Sequence, residues 1–405
     1  MNTQKSNNIS KPYHIYSDTI EQGALDQFFT ALASPYVVQG ALLPDAHQGY
    51  TLPIGAVVAV REHISPAFVG YDIGCGMCAV KLNITELPMP AVHLKERICL
   101  SIPLGTAKHQ LQQPVPVPQL GVSDLVINHL ASIGGQQLGT LGSGNHFIEI
   151  GRGNDNCIWI VIHSGSRNLG HSVAEHYMHL AAMESVDYEL IDLEFMVQHQ
   201  DLHKHNIEAF DKARIRNREK VKINVEGNHF LHTASKKGQA YINDMNYCLE
   251  YALANRKHMI DQICHLLGDP LQLCFINRNH NHAEYDEVRD LWIHRKGATH
   301  AELGMEGVIP GNMRDGSFIV KGKGNPNSLC SSSHGAGRVL SRKKAKDTLS
   351  TETFTQQMVG ITTNHTNDTV DEAPDAYKSI FEVIALQSDL IDVIDHIKPI
   401  INIKG

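Results

Sequence analysis

The stretch CIWIVIHSGSRNLG, residues 157–170, combines the two features on which the fold prediction depends. Its first six residues are apolar and rich in β-branched side chains, a pattern typical of a buried strand. The glycines that follow predict a tight turn, and His163 stands where the strand passes into it. Side chains at strand ends contact ligands more often than those in mid-helix, so His163 is either a site residue or a structural histidine held by hydrogen bonds.

Three further apolar runs, at 52–60, 271–276 and 317–320, also predict buried strands. Apolar residues at helical spacing predict two long helices, at 242–268 and 379–397. Strands do not alternate regularly with helices, so the sequence predicts the α+β class and not a doubly wound sheet. The Pro- and Gln-rich segment 110–120 predicts an exposed loop. Because candidate site residues lie on both sides of it, we expect one domain over 1–405.

The composition excludes several classes of protein. With 42% hydrophobic and 19% charged residues, and with no apolar run of membrane-spanning length, we expect a globular chain that does not cross a membrane. The N-terminal residues resemble neither a secretory signal nor a transit peptide, which predicts a cytoplasmic location. A net charge of -8 argues against a generic basic nucleic-acid binder. Eight cysteines are too sparse for a disulfide scaffold, so they are expected to be thiols or metal ligands.

Metal-binding residue types recur beside glycine-rich turns. Asp72 and Cys75 lie in GYDIGCGMCAV, His146 lies in LGTLGSGNHFIEI, and His280 lies in INRNHNHAE. Because the last segment is extended, we expect only one of His280 and His282 to point into a given site. Oxygen, sulfur and nitrogen donors together favour a transition metal such as Mn, Fe, Co or Zn. With His163 these residues form a set of five, which is enough for two neighbouring metals, although a glycine-rich turn with buried thiols is the alternative.

The stretch SSSHGAGRVLSRKKAK, residues 331–346, predicts either an anion site or a Ser/Gly loop before a solvated basic helix. The glycines at 335 and 337 allow backbone amides to approach a phosphate, and Arg167 and Arg342 are further anion-binding candidates. The sequence has no P-loop, no nucleophile elbow and no Lys-x-Asp-Gly motif. Any nucleotide chemistry therefore needs another nucleophile, and neutral imidazole, as in His334, can attack phosphorus.

Eight motifs in order give the chain a specific resemblance. They are LPDAHQGYTLPIG, GYDIGCGM, LGTLGSGNHFIEI, IHSGSR, HRKGA, IPGNM, SHGAGRVLSR and the terminal IKG, spread from about residue 42 to 405. With them the chain resembles the RtcB family of RNA-splicing and repair ligases. The resemblance implies one large domain with central β-sheets, flanking helices and a deep metal and nucleotide cleft. It also implies the joining of an RNA 3'-phosphate or 2',3'-cyclic phosphate to a 5'-hydroxyl, with GTP, two Mn²⁺ ions, a histidine-GMP intermediate and an archease-like activator as a candidate partner.

Residue by residue, the resemblance implies that His334 is the guanylylated nucleophile and that Asp45 is a second catalytic residue. The implied manganese ligands are Asp72, Cys75, His146, His163 and His280. The implied GTP and GMP contacts are Asn145, His146, Phe147, Ile148, Glu149, His280, Asn281, Pro310, Gly311, Asn312, Met313, Ser317, His334, Gly335, Ala336, Gly337, Tyr377 and Lys404. The implied RNA-phosphate contacts are Arg167, Lys296 and Arg342.

Some positions depart from the family pattern. Asn312 and Arg314 stand where Ser and a small residue are usual, His282 follows the His-Asn pair in place of Tyr or an aliphatic residue, and the segment 104–137 is short. These departures leave the RNA substrate open. Two other functions stay open as well: a metal-dependent cyclic phosphodiesterase that does not ligate, and a non-catalytic RNA-binding protein.

Overall fold

The computed structural model describes residues 10–118 and 121–405. Over these residues the fold belongs to the α+β class, as predicted, because strands and helices follow one another without regular alternation. The strands are β1 Tyr13–Ile15, β2 Val37–His47, β3 Ile54–Val60, β4 His63–Ile64, β5 Gly76–Leu82, β6 Phe147–Arg152, β7 Ile158–Ser164, β8 Leu231–His232, β9 Gln272–Asn279, β10 Asn281–Asp286, β11 Leu291–Lys296, β12 Ala298–His300, β13 Glu306–Pro310, β14 Ser317–Gly322, β15 Ser331–Ser333, β16 Thr362–Thr363 and β17 Ile391–Lys404.

The helices lie mostly between β5 and β9 and in the C-terminal third. They are α1 Gln22–Leu32, α2 Pro66–Val69, α3 Ala91–Ser101, α4 Asp124–His129, α5 Gly135–Gln137, α6 Arg167–Glu184, α7 Tyr188–Gln198, α8 Gln200–His205, α9 Ile207–Glu219, α10 Lys236–Leu266, α11 Arg342–Thr348, α12 Thr351–Gln357 and α13 Ile380–Ala385. A π-helical turn at Leu130–Gly134 joins α4 to α5. Within the described ranges, no helix combines the length and apolar character needed to cross a membrane.

Two sheets organise the strands. The larger one has the order β13-β14-β17-β6-β7-β5-β9, with β16 paired to β17, and the smaller one has the order β1-β2-β3-β11-β10. The chain passes from the larger sheet to the smaller one between β9 and β10, at His280. Short pairs, β12 with β15 and β4 with β8, complete the strand pairing.

The strand β7 shows how the apolar pattern positions a polar residue. Ile158, Ile160 and Ile162 point to one face of the sheet and pack with residues of α3 and α10 in one core. Trp159 and Val161 point to the opposite face and pack in a second core. Because side chains alternate along a strand, His163 emerges on the Trp159 face, at the end of the strand.

The four predicted strands are all present, with shifts of a few residues at their ends: β3, β7, β9 and β14 cover the apolar runs. The predicted helix at 242–268 is also present but begins earlier, at Lys236. The side chain of Ser235 caps its N-terminus by accepting a hydrogen bond from the Gly238 amide at 3.0 Å. At the other end Gly268 adopts φ of 87°, a left-handed conformation that favours glycine after a helix.

The predicted helix at 379–397 is wrong beyond its first turns. Helix α13 ends at Ala385, and residues from Ile391 onward form β17, the longest strand. This strand pairs with β14 on one side and β6 on the other, so its backbone hydrogen bonds come from distant segments. Its β-branched residues fit a sheet well, and the tertiary pairing outweighs a helical spacing of apolar residues.

The predicted loop at 110–120 lies partly outside the described residues, since 119 and 120 are not among them. Its described part, 110–118, has neither helix nor strand and is exposed or half-buried. This agrees with the extended conformation that its prolines favour.

Candidate active site

Five polar residues predicted as metal ligands come together at one end of the larger sheet. The sulfur of Cys75 lies 3.3 Å from Nε2 of His146 and 3.1 Å from Nε2 of His163. Nε2 of His163 lies 3.2 Å from Nε2 of His280, and Nε2 of His146 lies 3.1 Å from Oδ2 of Asp72. We call these five residues the cysteine cluster. The structure thus gathers the whole predicted set, while its role in metal binding stays a prediction.

The sheet order explains why these residues meet. Cys75 directly precedes β5, His146 directly precedes β6, His163 lies near the end of β7, and His280 directly follows β9. The order β6-β7-β5-β9 makes these four strands consecutive neighbours, and all three pairs are antiparallel. The end of one strand therefore lies beside the start of the next. Segments far apart in sequence therefore place their polar residues side by side.

The protonation of two rings follows from their hydrogen bonds. Nδ1 of His146 lies 3.0 Å from the carbonyl oxygen of Leu141, and Nδ1 of His163 lies 3.2 Å from that of Asn145. A carbonyl can only accept, so each Nδ1 carries a proton and Nε2 is the nitrogen that faces the other residues of the cluster. Burial holds the pKa of both His163 and His280 well below the ordinary histidine value, which keeps these two rings neutral. Ring nitrogens that converge on a cysteine sulfur suit a transition-metal ion.

Helix α10 supports the cluster with two polar residues that the sequence analysis missed. The guanidinium of fully buried Arg256 donates to the carbonyls of Gly74 at 2.9 Å and Ser164 at 2.7 Å. The amide nitrogen of Asn255 donates to Ser164 Oγ at 3.0 Å, and its oxygen accepts from the amide of Gly139. Both residues therefore fix the turns that carry the cluster. They sit on the buried face of α10, so a polar pair on an apolar helix face was the signal available in the sequence.

His334 lies next to the cluster and is oriented by a buried carboxylate. Its Nδ1 lies 2.7 Å from Oδ2 of Asp45, which also accepts from the His334 backbone amide at 3.2 Å. Burial alone would raise the pKa of Asp45, but the hydrogen bond and charge of His334 hold it below its ordinary value. Because Asp45 accepts the proton on Nδ1, Nε2 is the nitrogen that has a lone pair whenever the ring is neutral. The ring centroid of His334 lies 4.8 Å from that of His280.

The turn after His334 allows this close approach. Gly337 has φ of 74°, and a Cβ atom there would come within 2.2 Å of the Asp45 carbonyl oxygen. A side chain at 337 is therefore excluded while the turn lies against β2. Gly337 thus allows the turn to pack closely enough on β2 for His334 to contact the Asp45 carboxylate.

A hollow opens beside His334 and the cysteine cluster. It brings together residues that the resemblance assigned to nucleotide binding from five separate segments. Its lining consists of His47, Ile54, Asn145, Phe147, His163, Pro310, Gly311, His334, Gly335, Ala336, Gly337, Arg338, Tyr377 and Lys404.

Glu372, which the sequence analysis did not single out, is the centre of a charged network at this hollow. Its carboxylate accepts from Lys404 Nζ at 2.9 Å, from Arg338 at 3.2 Å and from Arg342 at 2.6 Å, and also from the Tyr377 hydroxyl. Burial would raise the pKa of Glu372, but Lys404, Arg342 and the Tyr377 hydroxyl hold it at about 2. Glu372 therefore positions three residues predicted for GMP and RNA contacts. The motif DEAPDAY gives no spacing signal for such a role.

Other predicted contacts occupy more varied positions. Glu149 is buried near Asn402, and burial raises its pKa to about 8. The side chain of Ile148 packs in the core on the opposite face of the sheet, and β6 pairs with a strand on each side at this residue. Met313 packs in a separate core, and Ser317 is fully buried in β14. The Asn312 side chain caps its own turn by accepting from the Arg314 and Asp315 amides.

The predicted RNA-phosphate residues differ in accessibility. Arg167 lines a second hollow, together with Asp72 and His146 of the cysteine cluster. Arg342 is about half exposed at the start of α11. Lys296 is buried, its amine donates to the Ala67 carbonyl at 3.3 Å, and burial lowers its pKa to about 8.

His280 and His282 contact different groups, as expected, but an extended chain is not the reason, because residues two apart on one strand point to the same face. The chain turns from β9 into β10 at His280, and Asn281 anchors this turn. Its side chain donates to the Asp72 carbonyl at 3.2 Å and accepts from the Gly297 amide at 2.9 Å.

Comparison with known proteins identifies the family of the chain. The family described as tRNA-splicing ligase RtcB matches residues 27–119 and 119–405. The RNA-splicing ligase RtcB of Escherichia coli (strain K12) is 31% identical over 418 residues, which cover 95% of each chain. The tRNA-splicing ligase RtcB of Nanoarchaeum equitans (strain Kin4-M) is 28% identical, over 99% of this chain and 97% of its own. The tRNA-splicing ligase RtcB of Aeropyrum pernix is 28% identical, over 92% and 90%. This chain belongs to the RtcB family.

Proposed function

We propose that this protein is an RNA ligase that joins a 3'-phosphate or 2',3'-cyclic phosphate end to a 5'-hydroxyl end, using GTP and Mn²⁺. The observation that carries the proposal is the pairing of His334 with buried Asp45 beside the cysteine cluster, at 2.7 Å. A nucleophile needs a lone pair directed at the substrate and a partner that fixes its orientation. Asp45 supplies that partner, and Nε2 of His334 supplies the lone pair.

The cysteine cluster is the candidate manganese site. Its Cys75, His146 and His163 ligand atoms lie within 4.8 Å of one another, and its nitrogens and sulfur suit a transition metal. With Asp72 and His280 included, the five residues of the cluster offer enough donor atoms for two ions. A bound Mn²⁺ would offset the charge of the phosphates and polarise the bond that breaks.

The reaction through His334 would proceed in three steps. Its Nε2 forms a bond to the α-phosphorus of GTP as the bond to the bridging oxygen breaks, and pyrophosphate leaves. An oxygen of the RNA 3'-phosphate then attacks that phosphorus, and the P–N bond electrons return to Nε2. Finally the 5'-hydroxyl oxygen attacks the RNA phosphate, GMP leaves, and the hydroxyl proton passes to solvent. A cyclic end must first be hydrolysed to a 3'-phosphate.

Asp45 and the charged network would support these steps. Asp45 holds the Nδ1 proton and balances the positive charge that His334 gains when Nε2 bonds to phosphorus. Lys404 and Tyr377, held by Glu372, line the hollow where the nucleotide would lie. Arg167 at the second hollow is placed to hold an RNA phosphate next to Asp72.

The test is covalent labelling. Incubation with α-³²P-labelled GTP and Mn²⁺ should leave an acid-labile label on the protein, and His334→Ala should carry none. His203→Ala is a matched control, because His203 is an exposed histidine of α8. Equal labelling of the His334→Ala protein would refute the assignment.

A second assay separates ligation from the two alternatives. The substrate is an RNA with 2',3'-cyclic phosphate and 5'-hydroxyl ends, incubated with Mn²⁺ in the presence and absence of GTP. Joining that depends on GTP supports the ligase. Opening of the cyclic end without joining would favour a phosphodiesterase, and no reaction would favour an RNA-binding protein.

A further inference from the structure

A second group of histidines and carboxylates lies on the other side of His280, in the smaller sheet and β12. Nε2 of His282 lies 2.9 Å from Nε2 of His300, and Nε2 of His300 lies 3.5 Å from Oε2 of Glu284. The ligand atoms of these three residues all lie within 4.8 Å of one another. We call them the glutamate cluster. In a tetrahedral zinc site with nitrogen and oxygen ligands, neighbouring donor atoms lie about 3.3 Å apart. The His282–His300 distance of 2.9 Å and the His300–Glu284 distance of 3.5 Å lie on either side of that value.

Glu302 fixes the protonation of one ring in the cluster. Its Oε1 lies 2.9 Å from Nδ1 of His300. The carboxylate accepts the Nδ1 proton, so in the neutral ring Nε2 of His300 is the nitrogen with a lone pair, and this nitrogen faces His282 and Glu284. A carboxylate behind a histidine is the usual arrangement around a metal-ligating imidazole, because it orients the ring and increases its basicity.

Hydrogen bonding alone satisfies the group poorly. The imidazole of His282 is 3% exposed, and among the described residues its Nδ1 has no hydrogen-bond partner, nor does Oε2 of Glu302. Arg295 contacts both Glu284 and Glu302, so one guanidinium faces two carboxylates. Buried imidazole nitrogens and an excess of negative charge are costly unless something compensates them, and a divalent cation would do so.

We propose that His282, Glu284 and His300 bind a second, zinc-type divalent ion, separate from the site in the cysteine cluster. Two nitrogens and one oxygen suit Zn²⁺ or Co²⁺ better than an oxygen-seeking ion. The Glu284 side chain is 37% exposed, so the fourth position opens to solvent and would take a water molecule. The inference does not depend on the proposed ligase activity.

The position of the glutamate cluster gives the ion a structural consequence. His282 and Glu284 belong to β10, which begins directly after His280, and His300 belongs to β12. The strand β12 pairs with β15, and β15 ends at Ser333, directly before His334. An ion bound here would link β10, which follows His280, to β12, which pairs with the strand that precedes His334.

The test measures metal content and the type of ligand at each site. The metal-free full-length protein is dialysed against Zn²⁺ alone and then against Co²⁺ alone, and bound metal is measured by mass spectrometry. His282→Phe keeps a buried ring, and Glu284→Gln keeps a hydrogen bond to Arg295. Each variant should lose one bound equivalent relative to the unmodified protein, while the exposed-residue control His203→Gln should lose none.

Co²⁺ spectra identify which site is lost. Cys75 of the cysteine cluster would bind Co²⁺ through sulfur and should give a sulfur-to-cobalt charge-transfer band, whereas the glutamate cluster contains no sulfur ligand. His282→Phe should keep that band, and Cys75→Ser should lose it but keep the other equivalent. The proposal is overturned if both variants at the glutamate cluster bind as much metal as the unmodified protein, or if Cys75→Ser alone removes all bound metal. Circular dichroism checks folding, and Glu284→Gln keeps the test decisive if His282→Phe does not fold.

Discussion

The cysteine cluster and the glutamate cluster lie on either side of the two-residue connection from His280 to His282, and they are built differently. In the first, backbone carbonyls hold the Nδ1 protons of His146 and His163, whereas in the second the carboxylate of Glu302 holds that of His300. Cys75 is 3% exposed, whereas the Glu284 side chain is 37% exposed. The first cluster also lies beside His334, with ring centroids of His280 and His334 at 4.8 Å.

The partner of each ligand histidine, a backbone carbonyl or a side-chain carboxylate, indicates whether a site suits a catalytic or a structural metal. Backbone carbonyls cannot be protonated near neutral pH and move only with the sheet, so they fix the ligand nitrogens rigidly. A side-chain carboxylate can rotate, and its charge tunes the ligand. The cysteine cluster is therefore suited to bind a catalytic metal beside a substrate, and the glutamate cluster is suited to bind a structural metal that links two strands.

Replacing Cys75 should have the largest effect on activity, and it should change the cysteine cluster alone. In Cys75→Ser the soft ligand at the centre of the cluster is gone, so we expect GMP labelling of His334 and RNA joining to fall to background. Labelling with α-³²P-GTP and gel-based ligation measure this. Cys157→Ser, at a half-buried thiol beside β7, is the control and should keep full activity. Unchanged labelling of the Cys75→Ser protein would mean that the cluster does not serve the nucleotide step.

Asp45→Asn should have the next largest effect, on His334 and not on either cluster. The amide cannot replace the ionised carboxylate, so the ring loses its fixed tautomer and the balance for its developing charge. By analogy with other oriented histidines we expect the labelling rate to fall by about 10³-fold or more. Single-turnover labelling measures the rate, and metal content should stay at the unmodified value. A rate within a few-fold of the unmodified protein would contradict the role of Asp45.

The sequence predicts the cysteine cluster well, because Asp72, Cys75, His146 and His163 stand beside glycines and His280 follows a recognisable strand. It does not predict which strands are neighbours, and the error at 379–397 has the same cause. The strand β17 is decided by pairing with β6 and β14, whose residues lie far away in the chain. His300 was missed because it meets His282 only after the chain has passed through β11. The polar residues Asn255 and Arg256 on the buried face of α10 were visible in the sequence but have no motif.

Arg256→Lys should weaken the cysteine cluster and leave the glutamate cluster unchanged. Lysine keeps the charge, but it cannot reproduce the fork that bonds Gly74, Ser164, Asn277 and Asn279 at once. Because the turns that carry the ligands lose their support, we expect the metal affinity of the cysteine cluster to fall about 10–100-fold. Titration with Co²⁺, followed by the charge-transfer band, measures it. Equal weakening of both clusters would indicate a general loss of folding instead.

Glu302→Gln should have the smallest effect, and it separates the charge of the supporting group from its geometry. The glutamine oxygen can still accept the Nδ1 proton of His300, so the ring keeps its orientation, but the negative charge that increases its basicity is lost. We expect the Zn²⁺ affinity of the glutamate cluster to fall about tenfold. Competition with a chromophoric zinc chelator measures it, in a Cys75→Ser background that removes the other site. In an otherwise unmodified chain, GMP labelling should stay unchanged. An unaltered affinity would mean that Glu302 orients His300 without tuning it, so that its role would match that of the backbone carbonyls in the cysteine cluster.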